Sequence, residues 1–135
     1  CSRILALSLY GGALAGVLIA LALGAPVDEV EHGLWGYDAS LGAAAVITFF
    51  YPNRQSSAMA LVCVALCVLL DGALKAVSAP LGMLVGTAPF YLAAIAMMLM
   101  HGGVPGFEPV PIADVSTPED HLYSFAPSTF ASKNL

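Results

Sequence analysis

Charge is what this sequence has least of: four Lys and Arg and nine Asp and Glu among 135 residues, 10% in all. A soluble domain spends about 25% of its residues on charge to coat its surface. This chain cannot coat a sphere, so part of its solvent is lipid. With four basic residues and a formal net charge of -5, there is no basic footprint for nucleic acid. Cysteine is scarce too. Cys63 and Cys67 stand i,i+4 inside an apolar run, whereas a disulfide framework or zinc site needs loops and further ligands. They read as buried, inert thiols. His32, His101 and His121 are scattered and bracket no carboxylate at metal-ligand spacing, so no metal and no cofactor is assigned. Asp38 and Asp71 lack a second aspartate in a matching membrane context and any Ser/His pattern, which argues against an intramembrane hydrolase or any other enzyme. Cys1-Ser2 could mimic a lipidated N-terminus, but the absence of an initiating Met more simply suggests a chain cut from a longer one.

What is present is apolar: 59% of the residues are hydrophobic and the mean hydropathy is +0.87. Ile4 to Ala25 is uncharged, and at a rise of about 1.5 Å per residue it can cross the hydrocarbon core as a helix. A signal-peptide core would be shorter. Gly12 and Gly16 form a small-xxx-small pair, with Gly11 beside it, suited to close helix packing. Pro26 ends the run because its ring cannot continue the hydrogen-bond ladder. Asp28, Glu29 and Glu31 then make an acidic turn, expected to be a solvated loop because no basic partner is close in sequence.

The next segment, about 34–51, mixes residue types that lipid does not ask for. Gly33, Gly36 and Gly42 surround Trp35 and Tyr37, and Asp38 falls in its first turns. It is barely long enough to span. A segment that enters part way is permitted where protein covers its backbone, so it reads as a half-depth, re-entrant helix. The polar turn Pro52-Asn53-Arg54-Gln55-Ser56 follows. Residues 58–79 form a second spanning helix carrying Asp71 and Lys75, which can pair at i,i+4. Intramembrane charges default to a functional role. The nearby Ser78-Ala79-Pro80 favours instead a pair near the helix end, with Lys75 reaching for the interface. A tight turn at Pro80-Leu81-Gly82 leads to a third apolar helix over 83–100. From 104 to 135 the chain is polar and rich in proline (Pro105, Pro109, Pro111, Pro118, Pro127), an irregular extramembrane arm. The expected layout is a membrane domain over 1–103, with helices at about 4–25, 34–51, 58–79 and 83–100, and a tail over 104–135. If 34–51 goes in and out on one side, Arg54 and Lys133 share a side opposite Arg3, and the positive-inside rule puts the tail in the cytoplasm.

Gly33-Leu34-Trp35-Gly36-Tyr37-Asp38-Ala39-Ser40-Leu41 resembles the urea transporter family, whose motif is Gly-Leu-(Trp/Tyr)-Gly-(Phe/Tyr)-Asn-x-x-Leu. A second family signature, Leu-Pro-x-x-Thr-x-Pro-Phe, is similar to Met83-Leu84-Val85-Gly86-Thr87-Ala88-Pro89-Phe90. The segment from Pro111 to Asp120 looks like the one that follows the family's last helix. The three occur in the family's order and at about its spacing, and the resemblance covers Ile4 to about Phe125. The resemblance implies an all-α membrane protein: three transmembrane helices plus one half-depth pore helix, part of an inverted-repeat urea-channel fold of which this chain is about the last third. It also implies a multi-pass protein of the plasma membrane, a homotrimer, and urea as the small-molecule substrate.

Urea is flat and neutral, with one carbonyl and amide hydrogens on both edges. Taking such an amide from water without replacement hydrogen bonds costs several kcal/mol. Flat apolar walls and oxygen acceptors remove most of that cost, and with no charge moving no coupling ion is needed. By resemblance Tyr37 and Leu41, i,i+4 neighbours on a helix, wall the slot with Leu34 beside them, and the Thr87 hydroxyl accepts from urea N–H. Gly33, Gly36, Pro89, Phe90, Gly12 and Gly16 have structural roles, Pro89 by removing a backbone donor. Trp35 reads as a packing or interface anchor. Asp38 stands where the family has Asn. Ionised Asp only accepts hydrogen bonds, and the expectation is that it caps the pore helix. Leu84 replaces the signature proline, and Asp71 and Lys75 draw no support from the family. The competing expectation is a non-transporting, truncated membrane protein that associates with full-length transporters through its Gly12/Gly16 face.

Overall fold

The structure, a computed structural model, describes residues 2–123. Cys1, the far end of the tail and Lys133, on which the orientation argument partly rests, lie outside the described residues. Among the described residues the regular elements are helical, apart from one isolated bridge between Phe50 and Pro109. α1 spans Arg3–Ala22 and starts where Ser2 Oγ accepts from the Leu5 N–H at 2.9 Å. α2 is the single turn Val27–Glu31 after Pro26. α3 spans Tyr37–Phe49, α4 Arg54–Ser78, and α5 Ala88–Met100. Asn53 caps α4, its side-chain oxygen accepting from the Ser56 N–H at 2.8 Å.

Two of these helices are long and apolar enough to cross a membrane: Arg3–Ala22, and Arg54–Leu81 when the short 3-10 turn after α4 is included. α3 and α5, with 13 residues each, reach only about 20 Å. The expected third span over 83–100 is therefore shorter than the sequence implied. Pro89 is the reason. It sits in the first turn of α5, where its missing N–H is no loss and its fixed φ suits a helix start. Residues 83–87 stay outside the helix, with Gly86 in the left-handed region at φ +58°.

Packing turns on small residues. α1 lies against α3 through Gly12 and Gly16, both buried. A Cβ at Gly12 would come within 2.6 Å of Ala43 Cβ, and one at Gly16 would overlap Ala39. The pair expected to recruit partner proteins is thus occupied inside the chain. α3 meets α4 at Gly42, where an added Cβ would fall 2.8 Å from Cys67 Sγ. Cys63 and Cys67 are free and fully buried there. Trp35, also buried, lies over Gly72 of α4 and joins a cluster with Ala20, Ala39, Ala43, Val64 and Val68, so its packing role holds.

The tail is no detached arm. Phe107 is fully buried and stacks on Phe50 with ring centroids 3.8 Å apart. Val110 N–H donates to Phe49 O at 2.8 Å, and Tyr51 N–H to Glu108 O at 3.1 Å. Residues 118–123 are helical, and Glu119 Oε1 accepts from Ile4 N–H at 2.9 Å. Asn53 Nδ2 also donates to Gly106 O at 2.7 Å. The start of α1, the α3–α4 turn and the tail therefore gather at one end of the bundle, and the expected opposition of Arg3 and Arg54 is not found.

Candidate functional site

At the other end the start of α3, the end of α4 and residues 83–87 enclose a cleft of about 730 Å³. Its formation follows from local chain chemistry. Gly33, at φ +75°, stops α2 and turns the chain toward Gly36, which takes the N-cap position of α3. Gly82, at φ +63°, ends the 3-10 turn after α4 and folds residues 83–87 back along the opening. Pro89 then starts α5 and leaves Thr87 as its N-cap.

Leu34, Tyr37, Asp38 and Thr87 all line this cleft, with Gly33 and Leu84. Two stretches some fifty residues apart in sequence are brought to one opening. Tyr37 is 58% exposed and Leu34 54%. Thr87 makes no side-chain capping bond, so its hydroxyl is not spent on its own helix. Leu41, one turn beyond Tyr37, is half-buried and is not among the lining side chains. Pro89 is buried and Phe90 half-buried behind the cleft. Asp38 is 5% exposed and sits in the first turn of α3, but no side-chain cap forms there, and its Oδ1 is buried without a hydrogen-bond partner among the described residues. The expected capping bond is absent; only the favourable end of the helix dipole is left to it.

Three further lining residues form a network that sequence reasoning treated as separate pieces. Lys75 Nζ lies 2.8 Å from Asp71 Oδ2 and 3.2 Å from Glu29 Oε2. It also sits 4.1 Å from the centroid of the Trp35 ring, a cation–π arrangement. Trp35 Nε1–H donates to the same Glu29 oxygen at 2.9 Å. Glu29 is thus no free loop carboxylate. The Lys75 ammonium beside it, with help from the Trp35 indole, holds its carboxyl below the usual range. The i,i+4 pairing of Asp71 and Lys75 was legible in the spacing. The reach of Lys75 back to an acidic turn forty-six positions earlier was not, although a lone Lys in an apolar helix is a signal to seek a second acid.

The sequence model of the urea transporter family matches residues 1–102. Urea transporter 1 of Ovis aries is 31% identical over 119 residues, covering 87% of this chain and 31% of the relative. Urea transporter 1 of Capra hircus matches to the same extent, and that of Mus musculus is 27% identical over 111 residues. The chain spans about a third of the length of these curated relatives. It belongs to the urea transporter family.

Proposed function

We propose that the chain forms one wall of a passive, channel-like pathway for urea across a membrane. The convergence of Leu34, Tyr37, Asp38 and Thr87 on one cleft is the observation that carries this reading. In this pathway α3 is the half-depth pore helix; at about 20 Å it falls short of a hydrocarbon core of about 30 Å. The Tyr37 ring and Leu34 face the flat sides of urea, and the Thr87 hydroxyl accepts from an amide edge. That replaces part of the hydration whose loss would otherwise cost several kcal/mol. Because urea is neutral, flux follows its gradient without a coupling ion. A slot needs a second wall, and an inverted-repeat half supplies it in this reading, within a trimer of the plasma membrane whose tail faces the cytoplasm.

The alternative, a truncated protein that associates with full-length transporters, loses its proposed docking face, since α3 already fills the Gly12 and Gly16 notch. Stopped-flow shrinkage and reswelling of proteoliposomes in a urea gradient tests the pathway. Urea permeability above that of protein-free liposomes is expected, from the chain or from any longer product of its gene, with a marked fall in Thr87→Val at unchanged water permeability. Permeability at the protein-free level in both would overturn the reading.

A further inference from the structure

The cleft has a feature that neutral urea does not call for. Asp38 is 5% exposed, lines the cleft, and keeps Oδ1 without a partner among the described residues. The other two carboxylates of the lining are engaged, Asp71 with Lys75 and Glu29 with both Lys75 and Trp35. Among the described residues Lys75 is the one Lys or Arg of the lining, so three carboxylates face one ammonium. An ionised carboxylate withdrawn from water and left unpaired is costly, and the start of α3 offsets only a part of it. A positively charged solute with N–H donors, seated in the cleft that Asp38 lines, offsets that charge.

Chemistry narrows the solute. Among the described residues no group of three or more His, Cys, Asp or Glu could hold a metal ion. A compact ammonium is strongly hydrated, whereas a guanidinium is planar, weakly hydrated and pairs with a carboxylate through parallel N–H bonds. Guanidinium also has the outline of urea with the carbonyl replaced by a third amino group, so it fits between the flat apolar side chains of Leu34, Tyr37 and Leu84. We propose that Asp38 makes this cleft a binding site for guanidinium-type cations and holds them more tightly than urea. The inference rests on the reading of the cleft as a solute pathway.

Trp35 is the sole tryptophan, and it touches Glu29 and Lys75 at the edge of the cleft, so its fluorescence reports occupancy. The full chain in lipid nanodiscs is titrated with guanidinium chloride and, separately, with urea, below denaturing concentrations and at constant ionic strength. Guanidinium is expected to half-saturate the change at a concentration ~10-fold or more below that for urea, the margin of a charge-assisted over a neutral hydrogen bond. Asp38→Asn removes the charge that guanidinium pairs with and should bring the two within about twofold. Equal half-saturation in the wild type, or a preference that survives Asp38→Asn, overturns the inference while urea binding leaves the pathway standing. A wild type that responds to neither solute removes the solute-site reading itself. Should Asp38→Asn not fold, Asp38→Ser makes the same comparison, and the wild-type contrast between the two solutes decides without either variant.

Discussion

The two ends of α3 are built from opposite materials. At its start the helix opens on a cleft with an exposed Tyr37, a buried Asp38 whose Oδ1 has no hydrogen-bond partner among the described residues, and the Glu29–Lys75–Asp71 network across from it. At its finish Phe50 is covered by Phe107, both within 1% of full burial, and the strand-like exchange with Glu108 and Val110 seals the backbone. One short helix thus presents an open cleft carrying charged groups at one end and a dry plug at the other. A helix of 13 residues has too few neighbours to stay in place by itself. The lesson is that the sealed end and the glycine contact with α1 anchor it, which leaves its open end available for a solute.

Breaking the sealed end should have the largest effect. Phe107→Ala removes a fully buried ring from the core and is expected to lower stability by about 3–5 kcal/mol, read as a fall in the thermal midpoint of the chain in nanodiscs. Lys75→Met at the open end comes next. It strands the buried Asp71 and frees Glu29, for a loss of about 3 kcal/mol, the low end for removing one partner of a buried pair because Lys75 is itself partly exposed. Adding Asp71→Asn should restore most of that loss; no restoration would mean that the network does not act as a unit. Gly16→Val pushes α1 off Ala39 and should cost about 2 kcal/mol, with the cleft end loosening as seen in Trp35 emission.

The smallest effect lies at the tail clamp. Hydrogen bonds from Ser2 and from the Ile4 backbone hold the Glu119 carboxyl down at about 2, below its ordinary value of 4.5. A folded-state value below the unfolded one contributes stability that is present above pH 4.5 and is lost as pH falls toward 2. Thermal midpoints of wild type and Glu119→Gln should therefore converge across that window and separate above it. Glu29 is also depressed, but it is common to both proteins and cancels in the difference.

Much of this was legible from composition and pattern. The uncharged run up to Ala25, the glycine pair that packs α1, the short helix after Trp35 and the convergence of two motifs all rest on local rules of length, small-residue spacing and proline placement. What was not legible depends on contacts distant in sequence. Phe107 lies in a proline-rich stretch whose irregular backbone hides an apolar anchor, and no periodicity marks it. The Glu29–Lys75 pair spans two elements, so neither segment alone signals it. The start of α5 at Ala88 was readable, since Pro89 belongs in a first turn, but the apolar run from Met83 masked it. Asp38 fits a capping residue by position and fails because Gly36 already takes the N-cap.

The contrast between the ends of α3 is tested most directly by thiol accessibility. In a chain with Cys1, Cys63 and Cys67 replaced by alanine, a cysteine is placed at Tyr37 or at Phe50 and treated with a charged methanethiosulfonate reagent. The account predicts rapid labelling at Tyr37, slowed by added urea, and little labelling at Phe50 with or without urea. Equal labelling at the two positions, or labelling at Tyr37 that urea leaves untouched, would contradict it.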